Sequence, residues 1–81
     1  MCRLFGWAAS HDMSAADLLG DDVETLRGLS RVHKDGWGIA THSGSGLTLV
    51  REDRPAYESA GFVQRADGLV GQTGIVHLRW A

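Results

Sequence analysis

Residues 74–81, GIVHLRWA, change character at every step. In an extended chain successive side chains point to opposite faces, so Ile75, His77 and Arg79 share one side while Val76, Leu78 and Trp80 share the other. One face is apolar and suited to packing; the other carries residues that can do chemistry. The stretch therefore reads as a strand with a site on one side. The chain stops at Ala81 inside this pattern, with no turn residue or cap, and reads as part of a longer domain. Its last strand is expected to be left as an unpaired, partly apolar edge.

Upstream, CRLFGWAA (residues 2–9) is a nearly continuous apolar run, which predicts a strand buried on both faces. From Ser14 the pattern changes. Leu19, Val23, Leu26, Leu29 and Val32 recur at helical spacing, with Asp21, Asp22 and Glu24 early and Arg27, Arg31 and Lys34 late, as the helix dipole favours. Gly20 divides this region into a short turn from Ser14 and a main helix over residues 21–32, because an interior glycine costs about 1 kcal/mol relative to alanine. Residues 37–41 and 47–51 predict two strands joined by the glycine-bearing turn HSGSG, with Pro55 ending the second. A further helix is expected to present Ala56, Ala60, Val63, Ala66 and Val70 on one face, weakened by Gly61 and Gly68.

The whole chain has 81 residues, enough for one small domain with a marginal core. Apolar residues make up 43% and charged residues 22%, a globular composition. With a net charge of −2 and no block of basic residues, neither nucleic acid nor an anionic membrane is an expected partner. The single cysteine cannot form an internal disulfide and has no metal-ligand spacing around it, which points to a reducing compartment, the cytoplasm, and to no metal or other cofactor. The apolar part of the N-terminus is too short for a secretory signal, and no run approaches the length of a membrane span.

That cysteine stands directly after the initiator methionine, in MCRLFGW (residues 1–7). Removal of Met1 would place a thiol and a free amine on the same residue. Thiols titrate near 8.5 and α-amino groups near 7.7–8.0, so such an amine can accept the thiol's proton at neutral pH. While Met1 remains, the nitrogen of Cys2 is a peptide amide and no internal base exists. Position alone fits a small buried apolar residue equally well. Arg79 alone fits a surface ion pair as readily as a carboxylate anchor, although a planar guanidinium can hold a carboxylate through two parallel hydrogen bonds. His77 shares its face and is a minor candidate. Asp35, in KDGWG, fits a turn residue bonded to its own backbone, and Trp37 fits packing.

Taken together and in order, MCRLFGW, HKDGWGI and HLRWA resemble the class II glutamine amidotransferases, which are N-terminal-nucleophile hydrolases. The resemblance spans nearly the whole chain. It implies an α+β fold, a four-layer α/β/β/α sandwich, of which residues 1–81 are the N-terminal portion of a glutamine amidotransferase type 2 domain, truncated after the arginine-bearing strand. It makes Cys2, freed by loss of Met1, the nucleophile that attacks the side-chain amide of glutamine, forming a glutamyl thioester and releasing ammonia. It makes Arg79 the residue that binds the substrate's α-carboxylate; His77 on the same face and Trp80 beside it in sequence are pocket candidates by position only, and Trp80 fits packing as well. The implied partners are glutamine and a synthase domain or subunit that accepts ammonia. Hydrolysis of another γ-glutamyl amide, or ligand binding without turnover, are the alternatives on the same fold. The family pattern continues with a threonine, an Asn-Gly pair that forms the oxyanion hole, and an acidic residue for the substrate's amine. None of these is in the sequence, so the 81 residues alone are expected to be inactive.

Overall fold

The computed structural model describes residues 2–79, so Met1, Trp80 and Ala81 lie outside the described residues. The elements run β1 (Arg3–Ser14), α1 (Ala15–Leu19), α2 (Asp22–Leu29), β2 (Gly36–Ser43), β3 (Gly46–Glu52), a single 3₁₀ turn (Ala56–Glu58), α3 (Ala60–Gly68) and β4 (Val70–Arg79). The chain is a mixed α/β structure with one four-stranded antiparallel sheet in the order β1-β4-β2-β3, compatible with the α+β class.

β4 holds the sheet together. Its alternation is as the sequence predicts: Val76 and Leu78 are buried, Ile75 and Arg79 are exposed, and His77 is half-buried. Its place in the sheet differs, however, because β4 pairs with β1 on one side and β2 on the other and is an inner strand. Inner placement satisfies its backbone on both edges and sets Val76 between Phe5 and Ile39 across the strands. The edges are β1 and β3 instead, which corrects the expected burial of β1 on both faces. Phe5, Trp7 and Ala9 are half-buried on one side, while Leu4, Gly6 and Ala8 on the other are exposed. An apolar run tells how greasy a strand is, but not whether a second layer lies over it.

Glycine sets the fit between β1 and β4. Trp7 lies opposite Gly74, where any Cβ would run into its ring, and its indole N–H donates to the Gly71 carbonyl at 3.2 Å. The aromatic side chain covers the strand in place of a side chain from β4.

Helices cover the face that carries Trp37, Ile39, Val76 and Leu78, and the core closes with Ala15, Ala56, Phe62 and Ala66. The division at Gly20 is as expected, and α1 starts with a reciprocal cap in which the Ser14 hydroxyl accepts from the Asp17 N–H and the Asp17 carboxylate accepts from the Ser14 N–H. The main helix ends three residues early, at Leu29, leaving Val32 exposed. Ser30 explains the stop: fully buried, it donates to the Arg27 carbonyl at 2.6 Å and accepts from the Tyr57 N–H at 2.8 Å, tying the helix end to the 3₁₀ turn.

The last helix is also re-phased. Val63 is exposed and Val70 belongs to β4, so the buried face is Phe62 and Ala66 with Leu69 beside them. The hydroxyl of Ser59 caps this helix, accepting from the Phe62 N–H and donating to Glu52 Oε1. A serine anchored to the end of β3 thus fixes the rotation of the helix, which small residues at 60, 61 and 66 specify weakly. The β2–β3 hairpin is as predicted, extended by one or two residues at each end.

Candidate functional site

The sheet face away from the helices is open, and cross-strand register determines which residues meet there. Leu4 pairs with His77, His77 with Gly38, and Gly38 with Arg51, giving one row across all four strands. The row behind it is Gly6, Ile75, Ala40 and Leu49. In front, Arg79 pairs with Gly36. Opposed residues of antiparallel strands share a face, so these side chains, where present, project to the same side.

Cys2 is exposed at the start of β1, which removes its reading as a buried apolar residue. β1 begins at Arg3, which pairs with Leu78, so Cys2, the residue before it, lies next to the end of β4 that carries Arg79. His77 and Arg79 share the open face of β4. The β1–β4 pairing thus brings residues at the two ends of the sequence to one end of the sheet. Trp80 and Met1 lie outside the described residues.

Beside Arg79 the open face forms a hollow of about 860 Å³. Arg79 and His77 stand on its β4 side, Arg51 and Asp53 at the end of β3, and Gly36 and Gly38 lie between them. The floor must be glycine at position 36: φ is +146° and a Cβ would approach the Glu52 carbonyl oxygen to 2.7 Å. Asp35 reaches the rim, and its backbone N–H donates to the Arg79 carbonyl at 2.9 Å, which ties the KDGWG turn to the arginine-bearing strand. Trp37, between the two floor glycines, turns to the helical side and meets Phe62 edge-on, with ring centroids 5.3 Å apart.

Arg51 and Asp53 were not singled out by sequence reasoning. The signal was present in GLTLVRE (46–52), where alternation places Leu47, Leu49 and Arg51 on one side, as it does Ile75, His77 and Arg79 on β4. On the same face Leu4, Leu47, Leu49 and Ile75 are 68%, 72%, 59% and 47% exposed, an apolar field behind the hollow. Among the described residues no group of three or more His, Cys, Asp or Glu side chains is placed to hold a metal ion. None of the described helices is long and apolar enough to cross a membrane.

No family model matches the chain. Over 82 aligned positions, taking in 100% of the chain, it is 40% identical to the glutamine-fructose-6-phosphate aminotransferase (isomerizing) of Vibrio vulnificus strain YJ016, and equally to that of strain CMCP6. The chain spans 12% of the length of each of these relatives.

Proposed function

We propose that residues 1–81 are the N-terminal portion of a class II glutamine amidotransferase domain and that Cys2, exposed as the first residue by loss of Met1, is its nucleophile. The observation that carries this reading is the β1–β4 pairing, which starts at Arg3 and Leu78 and so brings Cys2 to the same end of the sheet as Arg79. The 40% identity to relatives named for glutamine supports glutamine as the amide donor. The apolar open face supports the four-layer sandwich, in which a second sheet would cover Leu4, Leu47, Leu49 and Ile75. The reaction takes place in the cytoplasm, and ammonia passes to a synthase domain or subunit.

The proposed chemistry follows from two groups on one residue. The free amine takes the thiol proton, and the thiolate attacks the δ-carbon of glutamine. Collapse of the tetrahedral adduct breaks the C–N bond, and the proton held by the amine leaves with the nitrogen as ammonia. Water then cleaves the thioester, yielding glutamate and restoring the thiol. Arg79 holds the α-carboxylate and His77 lines the pocket. The test is intact-protein mass spectrometry of the full chain as it is made in cells, before and after a diazo-ketone analogue of glutamine. The expected result is a protein lighter by one methionine that gains one analogue adduct on Cys2. Full retention of Met1 in an active protein would overturn the proposed base and the mechanism with it.

Arg79→Lys supplies a separate prediction. The α-carboxylate is remote from the bond that breaks, so its contact is similar in ground and transition states and appears mainly in KM. Lysine keeps the charge but loses the two-pronged fork, and in a full-length version of the protein KM for glutamine is expected to rise about 10- to 100-fold with a smaller fall in kcat. Unchanged steady-state constants would make Arg79 an ordinary surface residue.

A further inference from the structure

We infer that Arg51 is a second binding residue for the substrate's α-carboxylate, which lies at the β4 edge of the glycine floor, between Arg79 and Arg51. The inference rests on the glutamyl-amide reading of the site and names a residue that this reading leaves unassigned.

The geometry is set by strand order. Across the open face Arg79 on β4 pairs with Gly36 on β2, and one row behind it His77 pairs with Gly38 and Gly38 with Arg51 on β3, while Cys2 directly precedes Arg3, which pairs with Leu78. Neighbouring strands are roughly 4.8 Å apart, so the floor glycines lie about two spacings from Cys2. A glutamyl group has four carbon–carbon bonds of about 1.5 Å between its δ-carbon and its carboxylate carbon, roughly 5 Å end to end. With the δ-carbon at the Cys2 sulfur, a chain running across β4 brings its carboxylate to the edge of the glycine floor. Two guanidinium groups can converge there, Arg79 from one side and Arg51 from the other. Arg51 starts close to the floor, since a Cβ built on Gly38 would lie 3.6 Å from its own Cβ.

Charge supports the same assignment. Among the described residues neither Arg51 nor Arg79 makes an ion pair, although both border the same hollow. Asp53 is two residues from Arg51 on this rim, yet no ion pair joins them. Asp35, Glu52 and Asp53 also border the hollow, with Glu52 engaged by Ser59 and by Arg54 at 3.9 Å, and the two arginines, which pair with none of them, are the groups left to hold an anion by bidentate hydrogen bonds. Gly38 and Gly36 leave the room that such an anion needs.

The test uses the full chain as made in cells and two ligands that differ only in the α-carboxylate, L-glutamate and 4-aminobutyrate, with binding measured by calorimetry. Arg51→Gln is expected to weaken L-glutamate about 10-fold and leave 4-aminobutyrate unchanged. Ammonia release should show KM for glutamine raised by a similar factor, with kcat within about twofold, and Arg51→Lys should fall between the two proteins. Unchanged L-glutamate affinity, or equal weakening of both ligands, overturns the role of Arg51. Should the unaltered protein release ammonia while Arg51→Gln has no effect, only this inference falls. A protein that neither releases ammonia nor binds L-glutamate overturns the proposed function and this inference together.

Discussion

Cys2→Ser is expected to lower kcat/KM for glutamine by at least about 10³-fold while leaving stability within about 0.5 kcal/mol. The loss follows from ionisation, because a serine hydroxyl is far less acidic than a thiol and the α-amine is too weak a base to make much alkoxide near neutral pH. The neutral effect on stability follows from place: Cys2 is exposed, precedes β1, and is absent from the core. A structural role would move both quantities together. Steady-state ammonia release and urea unfolding on the same two proteins separate the cases. Retained turnover by the serine variant would put the nucleophile elsewhere, and lost turnover accompanied by a lowered unfolding midpoint would make Cys2 a folding residue.

What could be read beforehand was local. The two faces of β4, the break at Gly20 and the β2–β3 hairpin all depend on residues within a few positions of one another, and the structure contains each of them. The failures were matters of context. β1 is as apolar as an inner strand, yet it is an edge, because which strand lies beside which is decided by contacts as distant as Arg3 to Leu78. The face of α3 was assigned to Val63 because alanine and glycine give little periodic signal. Its rotation comes from Ser59 bonded to Glu52 and from Phe62 packed on Trp37. The same limit applies at the site. Cys2 and Arg79 drew attention through their chemistry, but their meeting at one end of the sheet follows from the pairing of β1 with β4, which starts at Arg3 and Leu78. Arg51 drew none, since an arginine near the end of a strand is ordinary until its neighbours across the sheet prove to be Gly38 and His77.

Phe62→Ala is expected to cost about 3–5 kcal/mol, the usual price of removing a large buried aromatic ring. Phe62 is fully buried, the largest such side chain among the described residues. It meets the Trp37 ring at 83°, an edge-on contact that adds to its area of burial. Alanine would leave a void bordered by Trp37, which α3 has little freedom to fill, because the Ser59 cap and its bond to Glu52 hold the helix start in place. At roughly 0.05–0.15 kcal/mol per residue, a domain of this size has only about 4–12 kcal/mol to lose. With a urea dependence near 1 kcal/mol per molar for so small a unit, the unfolding midpoint should fall by roughly 3–5 M, or the folded state should be lost outright. Val63→Ala, one residue along on the same helix but at a position 41% exposed, should change stability by no more than about 0.5 kcal/mol. The contrast tests the rotation of α3 directly. If Val63→Ala is the costly variant and Phe62→Ala the mild one, the helix faces the sheet through the valine. Trp37 then lacks its edge-on support, and the glycines on either side of it, which floor the hollow beside Arg79, are not held from behind in the way described.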